Sequence, residues 1–398
     1  MTLVTLLKIF RDSVVPDILG ESQSQSEGDR NISVTWPPTL VFNWHKIQKI
    51  VEQLCVAVVM GFLFDWFDVP VAWLLGPLVV GIAYASTQHG PKPFPSIFIT
   101  VGKAIIGISS AARFSPETVA LGKTYALPLL GCILITASLS MVNGYLLSRW
   151  TRIDRTTSFL GCIPGIASTV VALSEELGAD SVSVAVLQYI RMILVVLLVP
   201  SVANFFSPVI AGSETLTLLP VAANSHPVPM FVNLLVLAGC CSLGIFAGDR
   251  LKLPTSGFLG SFLLGLVVFW GLPYEFQIPR SLFIGALLLV GLSIGLKFNW
   301  QNVRLIGKAV LLEILLVIVL MVCCLAIGYE FHIITHVDIV TAILCFMPGG
   351  MEAMMATVTQ LGGDTGLVLA AQITRQMLII VAINLLNLFL NPAKRAVT

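Results

Sequence analysis

Two short patterns in this sequence combine residue types that suit ligand capture inside a membrane. Pro164-Gly165 and Pro348-Gly349-Gly350 interrupt the apolar runs Phe159-Leu-Gly-Cys-Ile-Pro-Gly165 and Leu344-Cys-Phe-Met-Pro-Gly-Gly350. Gln188 with Arg191, and Gln372 with Arg375, follow at three-residue spacing, which puts each pair on one helix face. Proline removes an amide donor and glycine admits positive φ, so each Pro-Gly turn breaks a helix. The half-helix restarting after the break exposes unpaired N–H groups and the positive end of its dipole. Ser168 and Thr169 stand beside the first turn, where their hydroxyls can cap or bind a ligand. Glu352 occupies the place of Ser168 in the second turn, so the two turns are chemically unequal.

Each arginine lies near the middle of a long apolar segment. An intramembrane charge is costly and marks a functional site by default, and the guanidinium fork suits a carboxylate or phosphate. Two readings stay open. The arginines bind an anionic substrate together with the Pro-Gly turns, or each ties down the last carbonyls of the broken segment or pairs with Glu175, Glu176 or Glu352. Asp180 and Asp364, each after Leu-Gly, read as helix caps. Glu313 and Lys103 lie in apolar runs with no matching charge in the other half. They are coupling-ion or proton candidates, with snorkelling or pore-facing side chains as the plain alternative.

No catalytic residue, metal ligand or cofactor is expected. His332 and His336 are four apart but sit in an expected external loop, and a chance pair is favoured over a metal site. GxGxxG and Walker A patterns are absent. Gly291-Leu-Ser293-Ile-Gly295 lies within an apolar helical run and reads as a chance match or as small residues at a helix–helix contact, not as a nucleophile elbow. The eight cysteines lie mostly in apolar runs without a CxxC pair, as small buried hydrophobes do. Trp66, Trp73, Trp150, Trp270 and Trp300 lie near segment ends and read as interfacial anchors.

The elements that must hold these groups follow from composition. Of 398 residues 57% are hydrophobic and only 11% are charged, too little polar surface for a water-soluble protein of this length. Apolar runs near 20 residues match a hydrocarbon core of about 30 Å. A net charge of +1 offers no field for nucleic acid. Residues 1–45 form a polar, partly disordered extension, with a short amphipathic helix expected over 2–19. Lys8, Arg11 and Asp12 interrupt any signal-peptide core there.

A constant offset of 184 positions aligns the rest with itself, as from Asp65 to Asp249, Pro70 to Pro254, Pro164-Gly165 to Pro348-Gly349 and Gln188 and Arg191 to Gln372 and Arg375. The expected organisation is a membrane repeat over 46–208, a linker over 209–229, a second repeat over 230–392 and a tail over 393–398. Each repeat carries five apolar crossings plus one broken or re-entrant Pro-Gly segment. With that segment re-entrant, the second repeat is inverted, and Arg250, Lys252, Lys297, Arg304, Lys308, Lys394 and Arg395 fall on the side of Lys46, Lys49, Lys92, Arg149, Arg152 and Arg155. Arg113, Lys123 and Arg280 are the exceptions. The fold class is thus an all-α polytopic membrane protein of two homologous, inverted repeats.

Pro70-Val-Ala-Trp-Leu-Leu-Gly-Pro77, the Pro-Gly turns, Leu-Gly-Ala-Asp180 and the paired Gln-x-x-Arg motifs resemble the duplicated membrane AbrB family. This is not the small, soluble DNA-binding regulator of the same name. The resemblance covers about 46–392. It implies labels of ammonia monooxygenase or of a regulator of AidB expression, neither of which supplies a mechanism. The chain departs from the family's usual pattern at Ile166 and Ser168, where the first repeat often has Gly-Gly followed by a Ser-Glu pair. Glu352 is then the single glutamate of the two turns.

Inverted repeats with broken helices point to a midplane transport site. The expected function is a permease or secondary transporter of a small anionic solute in the inner membrane, both termini cytoplasmic. Its expected partners are the bilayer and that solute; a homo-oligomer is allowed. A membrane-embedded regulator is the alternative. A monooxygenase comes last, because His45, His89, His226, His332 and His336 form no copper or di-iron ligand set.

Overall fold

The computed structural model describes residues 44–87, 94–114, 124–165, 167–206, 226–227, 229–253, 255–271, 274–275 and 278–390. The expected extension before residue 44 and the tail over 393–398 lie outside the described residues, as do the side chains of Ser168, Thr169 and Glu176.

The described residues are helical almost throughout. The first half runs α1 (Trp44–Trp66), α2 (Ala72–Thr87), α3 (Ser96–Ala112), α4 (Ala126–Trp150), α5 (Arg155–Cys162), α6 (Ala167–Glu176) and α7 (Ser181–Phe206). The second runs α8 (Met230–Arg250), α9 (Ser256–Gly271), α10 (Arg280–Leu296), α11 (Trp300–Leu305), α12 (Gly307–Thr335), α13 (Ile339–Phe346), α14 (Met351–Leu361) and α15 (Thr365–Leu390). A two-residue parallel bridge between β1 (His226–Pro227) and β2 (Tyr274–Glu275) is the one departure from the all-α expectation among the described residues. By length and composition, five described helices can cross a membrane: Ile47–Trp66 within α1, and α4, α7, α8 and α12. Shorter apolar helices, α2, α3, α9 and α10, accompany them.

The helices pack as two bodies, each drawing on both halves of the chain. One holds α1, α2, α3, α8, α9 and α10; the other holds α4 to α7 and α11 to α15. They meet mainly through α14 against α3 and α10, and α7 against α10. The first body rests on backbone contacts that only missing side chains permit. Cβ atoms added at Gly291 and Gly295 would lie 2.2 Å from the carbonyl oxygens of Leu74 and Leu78. Their pairing in that order makes α2 and α10 parallel. The helix-contact reading of Gly291-x-Ser293-x-Gly295 therefore holds. Trp73 does not: it is 8% exposed, with its ring packed on Gly61 and Phe62, so it is a core residue and no interfacial anchor.

In the second body, Asp154 caps α5 by accepting from Thr157 N (3.0 Å), and Asp338 caps α13 by accepting from Thr341 N (3.0 Å). Pro164 and Pro348 then end each half-helix, because neither can supply the next amide donor. The chain turns and returns as α6 or α14. Gly178 and Gly362 close the returning helices at φ values of +70° and +81°, which glycine adopts without strain. Asp180 N donates to Thr157 Oγ1 (3.0 Å) and Asp364 N to Thr341 Oγ1 (2.8 Å). Each broken segment thus enters and leaves at the same end, as a helical hairpin. Thr341→Val removes the bond from Asp364 N and the one Thr341 Oγ1 donates to Asp338 Oδ2 (3.3 Å), and should lower the melting temperature at a cost of about 1–3 kcal/mol, with the far hairpin unaffected in hydrogen exchange.

Candidate functional site

The hydrogen-bond ladder of α5 breaks at its end: Phe159 O accepts from Ile163 N and Ile163 O from Gly165 N, but Pro164 has no N–H to offer Leu160 O. The Gln-x-x-Arg pair on α7 fills that need. Gln188 Nε2 donates to the oxygens of Leu160 (2.6 Å) and Ile163 (2.9 Å). Arg191 donates to Cys162 O (2.7 Å) through Nη1, and to Ile163 O (3.0 Å) and Gln188 Oε1 (2.6 Å) through Nη2. On α15, Gln372 Nε2 donates to Leu344 O (3.0 Å), and Arg375 donates to Met347 O (2.8 Å), Gly349 O (3.3 Å) and Gln372 Oε1. Both arginines are buried, and both face the negative dipole end of a short helix. Of the two sequence readings, these bonds make the arginines the clamps of the hairpins.

The two hairpin tips converge on a cavity of about 100 Å³ at the seam between the bodies. Pro164, Gly165, Pro348, Gly349, Gly350 and Glu352 line it from the tips, and Gln188 and Arg191 from α7. Gln372 and Arg375 do not border it, and neither does Glu313. Lys103 on α3 does, and its Nζ lies 2.8 Å from Glu352 Oε1, an ion pair that spans the seam. Lys297, at the end of α10, also lines the cavity, and its Nζ stands 5.5 Å from the centroid of the Tyr189 ring. Among the described residues, three cations face one carboxylate. The first turn of α14 opens here as well, with Gly350 as its N-cap and no side chain capping it.

Glu313 is 1% exposed on α12 and accepts a bond from Cys162 Sγ at 3.3 Å. Asp180 and Asp364 cap α7 and α15: Asp180 Oδ1 accepts from Val182 N, and Asp364 Oδ1 from Gly366 N and Leu367 N. Sequence reasoning missed Lys297, Thr255, Ser293 and Gln376 in the cavity wall. Lys297 was legible only as a loop charge, and the neutral residues carry no signal distinct from ordinary packing. Among the described residues, no group of three or more His, Cys, Asp or Glu is placed to hold a metal ion.

A family model described as transition state regulatory protein AbrB matches residues 73–390. The chain is 28% identical over 328 residues to a protein of Escherichia coli (strain K12) named as a proposed regulator, AbrB, covering 81% of this chain and 91% of that one. It is 23% identical over 354 residues to YhjN of Bacillus subtilis (strain 168), whose name assigns no function, covering 82% and 89%.

Proposed function

This chain belongs to the AbrB family, and from that premise we propose that it is a secondary transporter or permease of a small anionic solute in the cell's inner membrane. The observation that carries the reading is the cavity at the hairpin tips, where Lys103, Lys297 and Arg191 face the single carboxylate of Glu352. A cavity of about 100 Å³ has room for several waters, at about 10–15 Å³ each, and so for an anion of a few heavy atoms. The lysines are the anion ligands; Arg191, held by hairpin carbonyls, sets the shape of the wall. No enzymatic activity is part of this reading.

Two inverted repeats, each with a re-entrant hairpin, are the architecture we assign. Displacing α2, α3, α5 and α7 by 184 positions gives the bounds of α9, α10, α13 and α15. The equivalent helices α4 and α12 cross in opposite directions, with Tyr125 edge-on to Phe331 (6.3 Å between centroids) and Asn143 Nδ2 bonded to Leu316 O (3.0 Å). Homologous helices that pack antiparallel are what inversion requires. The cavity then opens on the side of Arg250, Lys252 and Lys297, which charge bias assigns to the cytoplasm. The regulatory reading is favoured by names alone, those of the family model and of the Escherichia coli relative.

The test is a melting-temperature screen of the detergent-purified full chain against small inorganic and organic anions at constant ionic strength. One anion or a small set should stabilise saturably. Lys103→Gln and Lys297→Gln should each weaken its apparent affinity by about tenfold or more, ~1.4 kcal/mol. Equal stabilisation in all three proteins, or in none, would move the reading to the regulator.

A further inference from the structure

We propose that Glu352 is the proton-carrying group of this site: its carboxylate holds the anion's place on Lys103, and an entering anion displaces it as it takes up a proton. This rests on the anion reading above.

The geometry supplies each part. Glu352 sits in the first turn of α14, on the tip of the second hairpin, and reaches across the seam to Lys103 on the other body. Its side chain is 12% exposed and that of Lys103 is 27% exposed, so both meet the cavity and its solvent. The charged and titratable groups around the carboxylate are Lys103 from α3, Lys297 from the end of α10, and Arg191 with Tyr189 from α7. α15 contributes the neutral Gln376. Arg191 is occupied by Cys162 O, Ile163 O and Gln188 Oε1, so the lysines are the cations free to change partner. The resting site is thus an anion site filled by the protein's own anion.

An entering anion takes Lys103 from Glu352. A largely buried carboxylate left without its cation is expensive, and a proton on the carboxylate removes the charge. The proton travels with the anion, and its loss restores the Lys103 pair and expels the anion. Linkage makes this reciprocal: anion affinity rises as pH falls, by up to about tenfold per pH unit when one proton is taken up per anion. Glu313 lacks these features, since it does not border this cavity and bonds the Cys162 thiol instead.

Binding of radiolabelled sulfate and radiolabelled acetate to the full chain, at constant ionic strength from about pH 5.5 to about pH 8.5, tests this. In the wild type, affinity should fall as pH rises, and calorimetry in buffers of different ionisation enthalpy should count about one proton per anion. Glu352→Gln should bind at least as tightly as the wild type does at low pH, with no pH slope. An unchanged slope in Glu352→Gln would place the titrating group on a lysine and overturn the proposal, and so would wild-type binding without proton uptake. Either result leaves the anion site standing. Failure of both anions to bind the wild type overturns the anion reading and the proposal with it. If Glu352→Gln does not fold, Glu352→Asp is tested instead, where a shifted pH dependence supports the proposal and an unchanged one overturns it, and a wild-type proton count of zero overturns it on its own.

Discussion

Arg191→Met should unfasten the first hairpin, and the loss should appear with no ligand present. The guanidinium spans Cys162 O and Ile163 O at the end of α5; Ile163 O also accepts from Gly165 N and Gln188 Nε2, so the acceptors that lose their donor are Cys162 O and Gln188 Oε1. Leaving two buried acceptors unpaired costs about 1–3 kcal/mol each, so a loss of about 2–6 kcal/mol is expected. Cys162 is 2% exposed in the intact protein and should become reactive to a membrane-permeant maleimide. Arg191→Lys should not rescue the variant, because an ammonium is a point donor and cannot span both carbonyls as the planar fork does. A melting temperature for Arg191→Met within about 2 °C of wild type, with Cys162 still protected, would show that the clamp contributes nothing.

Gly291→Val should prevent recovery of folded protein. Even a Cβ at this position would lie 2.2 Å from Leu74 O, and that neighbour is backbone, which has no rotamer to yield. Overpacking ordinarily costs about 1–3 kcal/mol; here α2 and α10 must separate along a seam that Gly295 and Gly81 also hold closed, so the cost exceeds that range. Gly285→Ala on the same helix meets nothing within 4 Å and serves as the control. Expression and monodispersity in detergent separate the two, and a folded Gly291→Val would refute the close approach.

Local breaks and caps were legible in the sequence, because one residue type suffices to cause each. Pro164 and Pro348 announced the interruptions of the fifth segments, and Asp180 and Asp364 announced caps. The closing of each hairpin was not legible, because it depends on a hydroxyl 23 residues away, Thr157 or Thr341, that looks like any other threonine. Arg191 and Arg375 declared themselves by their cost in an apolar segment. Which partner they satisfy depended on the register of α7 and α15 against the hairpins, and sequence alone left both readings open. Lys103 and Glu352 were singled out separately; their pairing joins α3 to α14, and no pattern in one dimension marks it. Trp73 shows the reverse failure. A tryptophan near a segment end suggests an interface, yet Gly61 opposite it makes a slot for the ring.

The four helices at the centre of the first body are short. α2 and α9 have 16 residues and α3 and α10 have 17, which at 1.5 Å per residue is about 24–26 Å. A typical hydrocarbon core is about 30 Å thick. α12, in the other body, has 29 residues, or about 44 Å. A membrane around such a molecule cannot be level: it must thin beside the short helices and rise, or the long helix must tilt, beside the other. Lys103 rides on α3 and Lys297 on the end of α10, so the acyl-chain length of the surrounding lipid becomes a force on the positions of the two lysines.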